Sequence, residues 1–308
     1  MQQNQDTARG FWLALSGYLL WGVFPIYFYV LREVSAPEVL THRIIWSMIL
    51  LLGISYFRKS NTKWYQLAAS RESLIPCVFS ALFLSLNWLI FIWAVANGNA
   101  IEGSLGYFIN PLVSVVMAVL FLGERLNKYQ LVAICCAIAG VAYMVFRLGE
   151  MPWIALTLAF SFGTYGLIHK RFAVNAFAGL TLETIIVAPL AIGYLVYLFI
   201  VEENTFLAVS WQIDGLLLLA GVITTMPLLL FLASLPQLRL STVGLLQYTV
   251  PTLQMLVAIY ILGETFNRDK LIAFSFIWLG LLVFSYDVFR QRRLKNQLKS
   301  RDSVNNSE

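Results

Sequence analysis

One segment of the chain occurs twice in nearly the same register. Residues 105–140 recur as 245–280, which lie 140 positions later. The matching positions are Pro111 and Pro251, 122–124 and 262–264, Asn127 and Asn267, Leu131 and Leu271, Ala133 and Ala273, and Gly140 and Gly280. The sequence therefore predicts a duplicated unit. Glu124 and Glu264 each follow a glycine that ends a helix, and each of them, followed by Asn127 or Asn267, is predicted to cap the helix that comes next.

The composition identifies an integral membrane protein. Of its 308 residues, 59% are apolar and 12% are charged, whereas charged residues make up about a quarter of a soluble domain. Continuous apolar runs are long enough to cross about 30 Å of hydrocarbon, which excludes the short alternating strands of a β-barrel. We predict an all-α fold with ten membrane spans, at 11–31, 38–57, 73–96, 100–122, 128–147, 152–170, 178–200, 213–234, 240–262 and 269–289.

The number of spans in each copy sets the orientation of the second copy. Residues 1–147 and 148–289 are each predicted to hold five spans, and residues 290–308 form a basic cytoplasmic tail. Because five is odd, the second copy must enter the membrane with the opposite orientation to the first. Such inverted repeats are typical of secondary transporters, in which the substrate binds near mid-membrane where the halves meet.

The distribution of basic residues predicts which side each loop faces. Sixteen Lys and Arg residues lie on the side of the two termini, and four lie on the other side. The positive-inside rule therefore places both termini in the cytoplasm. The net charge of +5 is concentrated there, where it favours contact with anionic membrane lipids over nucleic acid, which is not an expected partner.

Polar residues precede an equivalent proline in spans four and nine. Proline removes a helix hydrogen bond, and interrupted helices at matching positions are a sequence signal of a transporter binding site. A kink that only improves packing is the alternative. Pro227 adds a third break, in span eight, and Asn87 lies among aromatic residues in span three. The predicted substrate-binding residues are Asn87, Ser104, Tyr107, Asn110, Gln247 and Tyr248, with Ser241, Thr242 and Gly244 nearby.

Charged residues inside the spans are candidates for coupling or gating. Arg43 and Glu183 occupy equivalent positions in the two copies. With opposite orientations they would differ in depth by about 15 Å, so we predict two separate sites, Arg43 towards the periplasm and Glu183 towards the cytoplasm. Snorkelling to the nearby interface is the alternative for each. Glu183, His42 and Glu102 are the candidate proton-linked groups, in that order, because imidazole and buried carboxyl groups can carry protons.

Other classes of protein are less well supported by the sequence. The chain has no Walker-type loop, so transport energy would come from an ion gradient or from the substrate's own gradient. No cofactor or metal site is expected, since Cys77, Cys135 and Cys136 lie in spans without ligands at suitable spacing. A channel is an alternative function that the duplicated halves do not exclude. An intramembrane enzyme would need a nucleophile and base or a metal cluster, and the two histidines lie in different copies. The oligomeric state is open, with a homodimer as one alternative.

Several motifs resemble those of a known family. They are 41–46, the run from Glu102 to Val113, 121–125, 158–162, 165–167, 239–242, Gln247-Tyr248 and Pro251-Thr252. In this order they closely resemble the RarD group of EamA-type proteins, in the drug/metabolite transporter superfamily, over residues 8 to 290. The resemblance implies a bacterial inner-membrane carrier of ten helices that exports small metabolites or drugs. It does not identify the substrate.

Overall fold

The protein is a bundle of α-helices in the part that the structure describes. The computed structural model describes residues 2–58, 64–123, 125–149, 151–172, 174–234, 237–238 and 246–305. Its helices are α1 Gln2–Gly22, α2 Phe24–Val30, α3 Ala36–Arg58, α4 Trp64–Ala69, α5 Arg71–Ala96, α6 Ala100–Leu122, α7 Lys128–Tyr143, α8 Trp153–Arg171, α9 Ala176–Ile200, α10 Trp211–Ser234, α11 Thr249–Tyr260 and α12 Arg268–Asn305. A π-helical turn at Met144–Leu148 continues α7.

Eight helical segments of the described chain are long and apolar enough to cross a membrane. They correspond to predicted spans one to five, seven, eight and ten, and α1 and α2 together form the first. The sixth predicted span is α8, which has 19 residues but carries several polar side chains. The ninth corresponds to α11, which has 12 residues, while 239–245 lie outside the described residues. The all-helical, multi-pass membrane fold is confirmed, whereas the count of ten remains a prediction.

Glycines end α6 and the segment after α11 at equivalent positions. Gly123 and Gly263 have φ angles of 67° and 73°, in the left-handed region that glycine adopts without steric cost. The side chain of Asn127 then accepts hydrogen bonds from the backbone amides of Tyr129 and Gln130 and caps α7. These local signals fix where the connections between helices lie.

Glu264 caps a helix in the other half of the chain and not the helix that follows it. Its Oε1 accepts a hydrogen bond from the Ala100 amide at 2.5 Å, and its Oε2 accepts one from the Ile101 amide at 2.8 Å. These amides begin α6, where backbone donors lack helical partners. The predicted local cap is confirmed for Asn267, whose Oδ1 accepts a hydrogen bond from the Lys270 amide at 2.8 Å. It is wrong for Glu264, because helix packing brings the free amides of α6 to this carboxylate. Glu124 lies outside the described residues.

The two helices that end the repeats, α7 and α12, pack closely together. A β-carbon on Gly140 would lie 2.9 Å from the Ala273 carbonyl oxygen, and one on Gly280 would lie 2.7 Å from the Ala133 carbonyl oxygen. Glycine is needed at both positions for the backbones to approach this closely, as in other helix pairs in membranes. Since Ala133 and Ala273 are themselves equivalent in the repeat, the contact is reciprocal.

The ends of these two helices show that they run antiparallel. At the start of α7, Asn127 Nδ2 donates to Asp287 Oδ2, far along α12, at 2.6 Å. At the end of α7, the Tyr143 hydroxyl donates to Asp269 Oδ1, at the start of α12, at 2.8 Å. The start of each helix therefore lies beside a later part of the other, as antiparallel packing requires.

Candidate functional site

Arg43 is buried in the middle of the bundle among aromatic rings. Only 5% of the residue is exposed. Its Nε donates to Thr224 Oγ1 at 2.8 Å, and its guanidinium carbon lies 4.1 Å from the centre of the Trp88 ring and 5.6 Å from those of Phe24 and Phe28. Arg43 therefore does not snorkel to the interface. From α3 its side chain contacts α2, α5 and α10.

Asn87 and Tyr107, both predicted to bind substrate, contact each other. The Tyr107 hydroxyl donates to Asn87 Oδ1 at 3.1 Å, and Asn87 Nδ2 donates to the Leu158 carbonyl at 2.9 Å and to Ser161 Oγ at 3.0 Å. Phe91 packs edge-on against the Tyr107 ring, with centroids 5.5 Å apart. The amide of Asn87 is thus held in place by α8, and its hydrogen bond positions the Tyr107 hydroxyl beside the Phe91 ring.

Ser104 and Asn110 lie on the buried face of α6. The Ser104 hydroxyl donates to the Ile101 carbonyl in its own helix at 2.7 Å, so it is satisfied locally. Asn110 is buried, and its Oδ1 has no hydrogen-bond partner among the described residues. Pro111 follows inside α6, a continuous helix. An unsatisfied buried amide oxygen beside a proline is a polar position without a fixed structural role.

The second polar cluster is described only in part. Gln247 and Tyr248 form the turn that leads into α11, where Gln247 is exposed and Tyr248 is half-buried. Pro251 is the third residue of α11, so this proline lies at the start of a helix and not inside one. Pro227 lies inside α10. Ser241, Thr242 and Gly244 lie outside the described residues.

Glu183 belongs to a polar cluster that joins three helices. It is 2% exposed, its Oε1 accepts a hydrogen bond from Ser80 Oγ at 2.5 Å, and the same oxygen lies 2.7 Å from His169 Nε2. His169 Nε2 is also 3.1 Å from Ser80 Oγ, and its ring stacks on Tyr165 at 4.3 Å between centroids. An imidazole in contact with a carboxylate can share a proton with it, so this pair is suited to holding a proton without leaving an isolated charge.

Glycine makes room for this cluster. A β-carbon on Gly179 would lie 2.9 Å from His169 Cε1, so a larger residue there would push the imidazole away from Glu183. The second carboxylate oxygen, Glu183 Oε2, is buried without a hydrogen-bond partner among the described residues. A void of about 10 Å³ separates Glu183 from Trp88, the ring that packs on Arg43. Trp88 thus lies between the two charged sites.

His42 and Glu102, the other candidate proton-linked groups, differ in their surroundings. His42 is 1% exposed; its Nδ1 accepts a hydrogen bond from Trp46 Nε1 at 3.1 Å, and its ring lies 4.6 Å from that of Phe206. Glu102 Oε1 accepts hydrogen bonds from the Ile154 and Ala155 amides at 2.9 and 3.3 Å. Glu102 therefore caps α8 and ties two helices together.

Sequence reasoning did not assign the partners of the two charged residues. Ser80 and His169 were not predicted to contact Glu183, and Thr224 was not predicted to contact Arg43. Tyr165 and His169 are four residues apart in α8 and so share one face of it, which is the signal that could have paired them. The contact from Arg43 to Thr224 joins residues 181 positions apart, and no local pattern indicates it.

Two other features concern possible ligands. An apolar groove of about 380 Å³ lies between α6, α7 and α8, with Ile109, Val116, Ile138 and Phe160 in its walls. It has the character of a lipid-facing surface, since it lacks the polar groups that orient a substrate. In the described part of the chain, no three His, Cys, Asp or Glu side chains are grouped so that they could hold a metal ion.

A multi-pass helical bundle that buries charged and polar side chains at its centre is the architecture of a membrane transporter. The model of the EamA-like transporter family matches residues 8–146 and 151–286. The chain therefore belongs to the EamA-like transporter family, and the resemblance to this family is confirmed.

Relatives of known sequence cover nearly the whole chain. Protein RarD of Escherichia coli is 41% identical over 94% of this chain and 98% of its own length. An uncharacterized transporter of Vibrio cholerae is 42% identical over 92% of this chain and 94% of its own. The chloramphenicol-sensitive protein RarD of Pseudomonas aeruginosa is 31% identical over 93% and 97%. One solved crystal structure, 18% identical, has the same fold with a TM-score of 0.58, over 92% of this chain and 99% of that one.

Proposed function

We propose that this transporter is a secondary active carrier that exports small metabolites or drugs across the bacterial inner membrane by alternating access. Its ten helices form two five-helix halves of opposite orientation, with both termini in the cytoplasm. The two halves rock around a central site, so that the site opens to one side of the membrane at a time.

The antiparallel contact between α7 and α12 is the observation that supports this proposal most strongly. The two helices occupy equivalent places in the repeat, and they meet through the reciprocal pairs Gly140 with Ala273 and Gly280 with Ala133. Two copies inserted in the same orientation would place equivalent helices parallel. Antiparallel crossing is the arrangement expected when a pseudo-two-fold axis lies in the membrane plane.

Contacts between loops agree with the sides that the proposal assigns to them. Glu38 Oε1 accepts hydrogen bonds from the amides of Thr205 and Phe206 at 2.7 and 3.0 Å, and both ends are periplasmic in the proposed topology. The Glu264 cap on α6 also joins two periplasmic ends. The contact from Asn127 to Asp287 joins two cytoplasmic ends.

Coupling to protons is assigned to the cluster of Glu183, His169 and Ser80. The proposed topology places this cluster towards the cytoplasm: at 1.5 Å per residue, Glu183 lies about 10 Å from the start of α9 and His169 about 3 Å from the end of α8. A proton on Glu183 would be released when the surrounding helices move apart and water enters. In this account Glu183 takes up a proton on one side and releases it on the other, which makes the protein a proton-linked antiporter.

The experiment that tests the carrier proposal is counterflow in proteoliposomes. A metabolite that stabilises the purified protein in a thermal-shift screen is loaded inside, and uptake of its labelled form from outside is followed. A carrier should show saturable uptake that is stimulated by unlabelled ligand on the opposite side. Uptake that neither saturates nor responds to ligand on the opposite side would indicate a channel-like permease.

A further inference from the structure

Arg43 is a buried cation that needs an anion. Among the described residues, the ion pairs are Arg147 with Asp269 and His169 with Glu183. Arg43 is in neither pair, and its hydrogen-bond partner among the described residues is the neutral hydroxyl of Thr224. Removing a guanidinium from water is costly unless an opposite charge compensates it. A protein usually keeps such an arrangement inside a membrane for a functional reason.

The aromatic rings around Arg43 compensate only part of this cost. Trp88, Phe24 and Phe28 face the guanidinium, and cation–π contacts with such rings are favourable but weaker than a buried ion pair. The Tyr27 hydroxyl, which is close by, donates to the Leu216 carbonyl at 2.8 Å. The rings offer flat apolar surfaces against which a planar ligand can pack.

The hydrogen bond to Thr224 leaves one edge of the guanidinium available. Nε is occupied by Thr224 Oγ1, whereas the two terminal nitrogens, Nη1 and Nη2, form the edge that pairs with two oxygens of a carboxylate at once. Thr224 belongs to the second half of the chain and Arg43 to the first, so the edge lies where the two halves meet. A transported molecule is expected at this place.

We infer that Arg43 binds the carboxylate of the substrate, which is a small organic acid with an aromatic or other planar apolar body. The inference rests on the proposed carrier function and specifies its substrate class. The carboxylate pairs with Nη1 and Nη2 of Arg43, while the body packs against Trp88 and the phenylalanine rings. Neutral and cationic molecules of the same shape would leave the guanidinium unpaired and bind less well.

A thermal unfolding assay with matched ligands tests this inference. The purified protein is heated in detergent with phenylacetate, benzoate or indole-3-acetate, and with the amide and the amine analogue of each. At ten times its dissociation constant, an acid should raise the unfolding midpoint by roughly 3 °C, and its analogues should raise it by less than a third of that. If no acid stabilises the protein more than its own amide does, the inference is wrong.

Two variants assign the effect to Arg43. Arg43→Gln should abolish the stabilisation by acids, whereas Arg147→Gln, at a residue with 70% of its side chain exposed, should retain it. Because Arg43→Gln can also disturb folding, Thr224→Asp provides a second test. Its carboxylate would pair with Arg43 internally, so the ligand-free variant should unfold at a higher temperature and lose the response to acids. A Thr224→Asp variant that responds to acids as the wild type does would overturn the inference.

The assay separates this inference from the carrier proposal. Binding is measured without a membrane or a gradient, so acid-selective binding can be present or absent whatever the transport mode. If counterflow occurs with neutral or cationic ligands and no acid binds, the substrate class is wrong and the carrier proposal stands. If acids bind selectively but counterflow fails, the binding of acids by Arg43 stands and the carrier proposal is wrong.

Discussion

Gly140 of α7 lies against the backbone of Ala273 in α12, and Gly280 of α12 lies against the backbone of Ala133 in α7 in the same way. The repeat thus contacts itself through equivalent residues. This crossing, together with the hydrogen bonds at both ends of the two helices, holds α7 and α12 together.

The crossing has no room for a side chain at either glycine. Gly140→Ala and Gly280→Ala should each destabilise the protein by about 1–3 kcal/mol, since the added carbon would meet a backbone carbonyl oxygen. This loss exceeds the gain in helix stability of about 0.5–1 kcal/mol from replacing glycine by alanine. Thermal unfolding in detergent measures the effect. Gly193→Ala is the matched control, because its added carbon would meet no atom of another helix within 4 Å. A loss as large there would refute the explanation.

The cap on α6 gives a second prediction about stability. Glu264→Ala removes the acceptors of the Ala100 and Ile101 amides and should cost about 1–3 kcal/mol. Hydrogen exchange should become faster in the first turn of α6, far from the substitution in sequence. Glu203→Ala, in an exposed loop, should leave that exchange unchanged. Faster exchange confined to 265–270 would mean that the cap acts locally.

The proton-coupling proposal predicts a selective loss in Glu183→Gln. This variant should still bind ligand but should lose the dependence of its flux on an imposed pH gradient, because an amide cannot release a proton. Transport in proteoliposomes with and without the gradient measures this, with the exposed residue Glu72 changed to Gln as the control. An unchanged response in Glu183→Gln would mean a structural role for Glu183, and the coupling would have to be assigned to His42 or Glu102 or given up.

Tyr107 and Gln247 are equivalent positions that are proposed to contact substrate from the two halves. Tyr107→Ala and Gln247→Ala should each lower transport without reducing the amount of protein in the membrane. Tyr107→Phe should have a smaller effect, because it removes only the hydrogen bond to Asn87 and keeps the ring. Full transport by Gln247→Ala would exclude this residue from the site.

The positions of most helices could be predicted from the sequence because apolar length decides them. The span predicted at 73–96 is the helix Arg71–Ala96, for example. The ninth span was harder: the helix described there begins at Thr249, after a turn that contains Gln247. Hydropathy cannot detect such a turn, since the residues around it are themselves apolar.

The contacts of polar side chains could be predicted much less well. Asn127 caps α7 through backbone amides two and three residues later, so the local sequence is enough to predict this cap. Glu264 instead caps a helix more than 160 residues earlier, and Glu183 meets His169 from an adjacent helix. These partners depend on how the helices pack, and a pattern along one helix carries no information about them.

Reporter fusions at equivalent loops test most directly whether the two halves have opposite orientations. Alkaline phosphatase, which is active only in the periplasm, is fused after Arg125 or after its equivalent Thr265, and also near Glu203 and after Arg290. The account predicts activity at Thr265 and Glu203 and silence at Arg125 and Arg290. If the equivalent fusions at Arg125 and Thr265 were both active or both silent, the halves would share one orientation, and the inverted-repeat carrier would be contradicted.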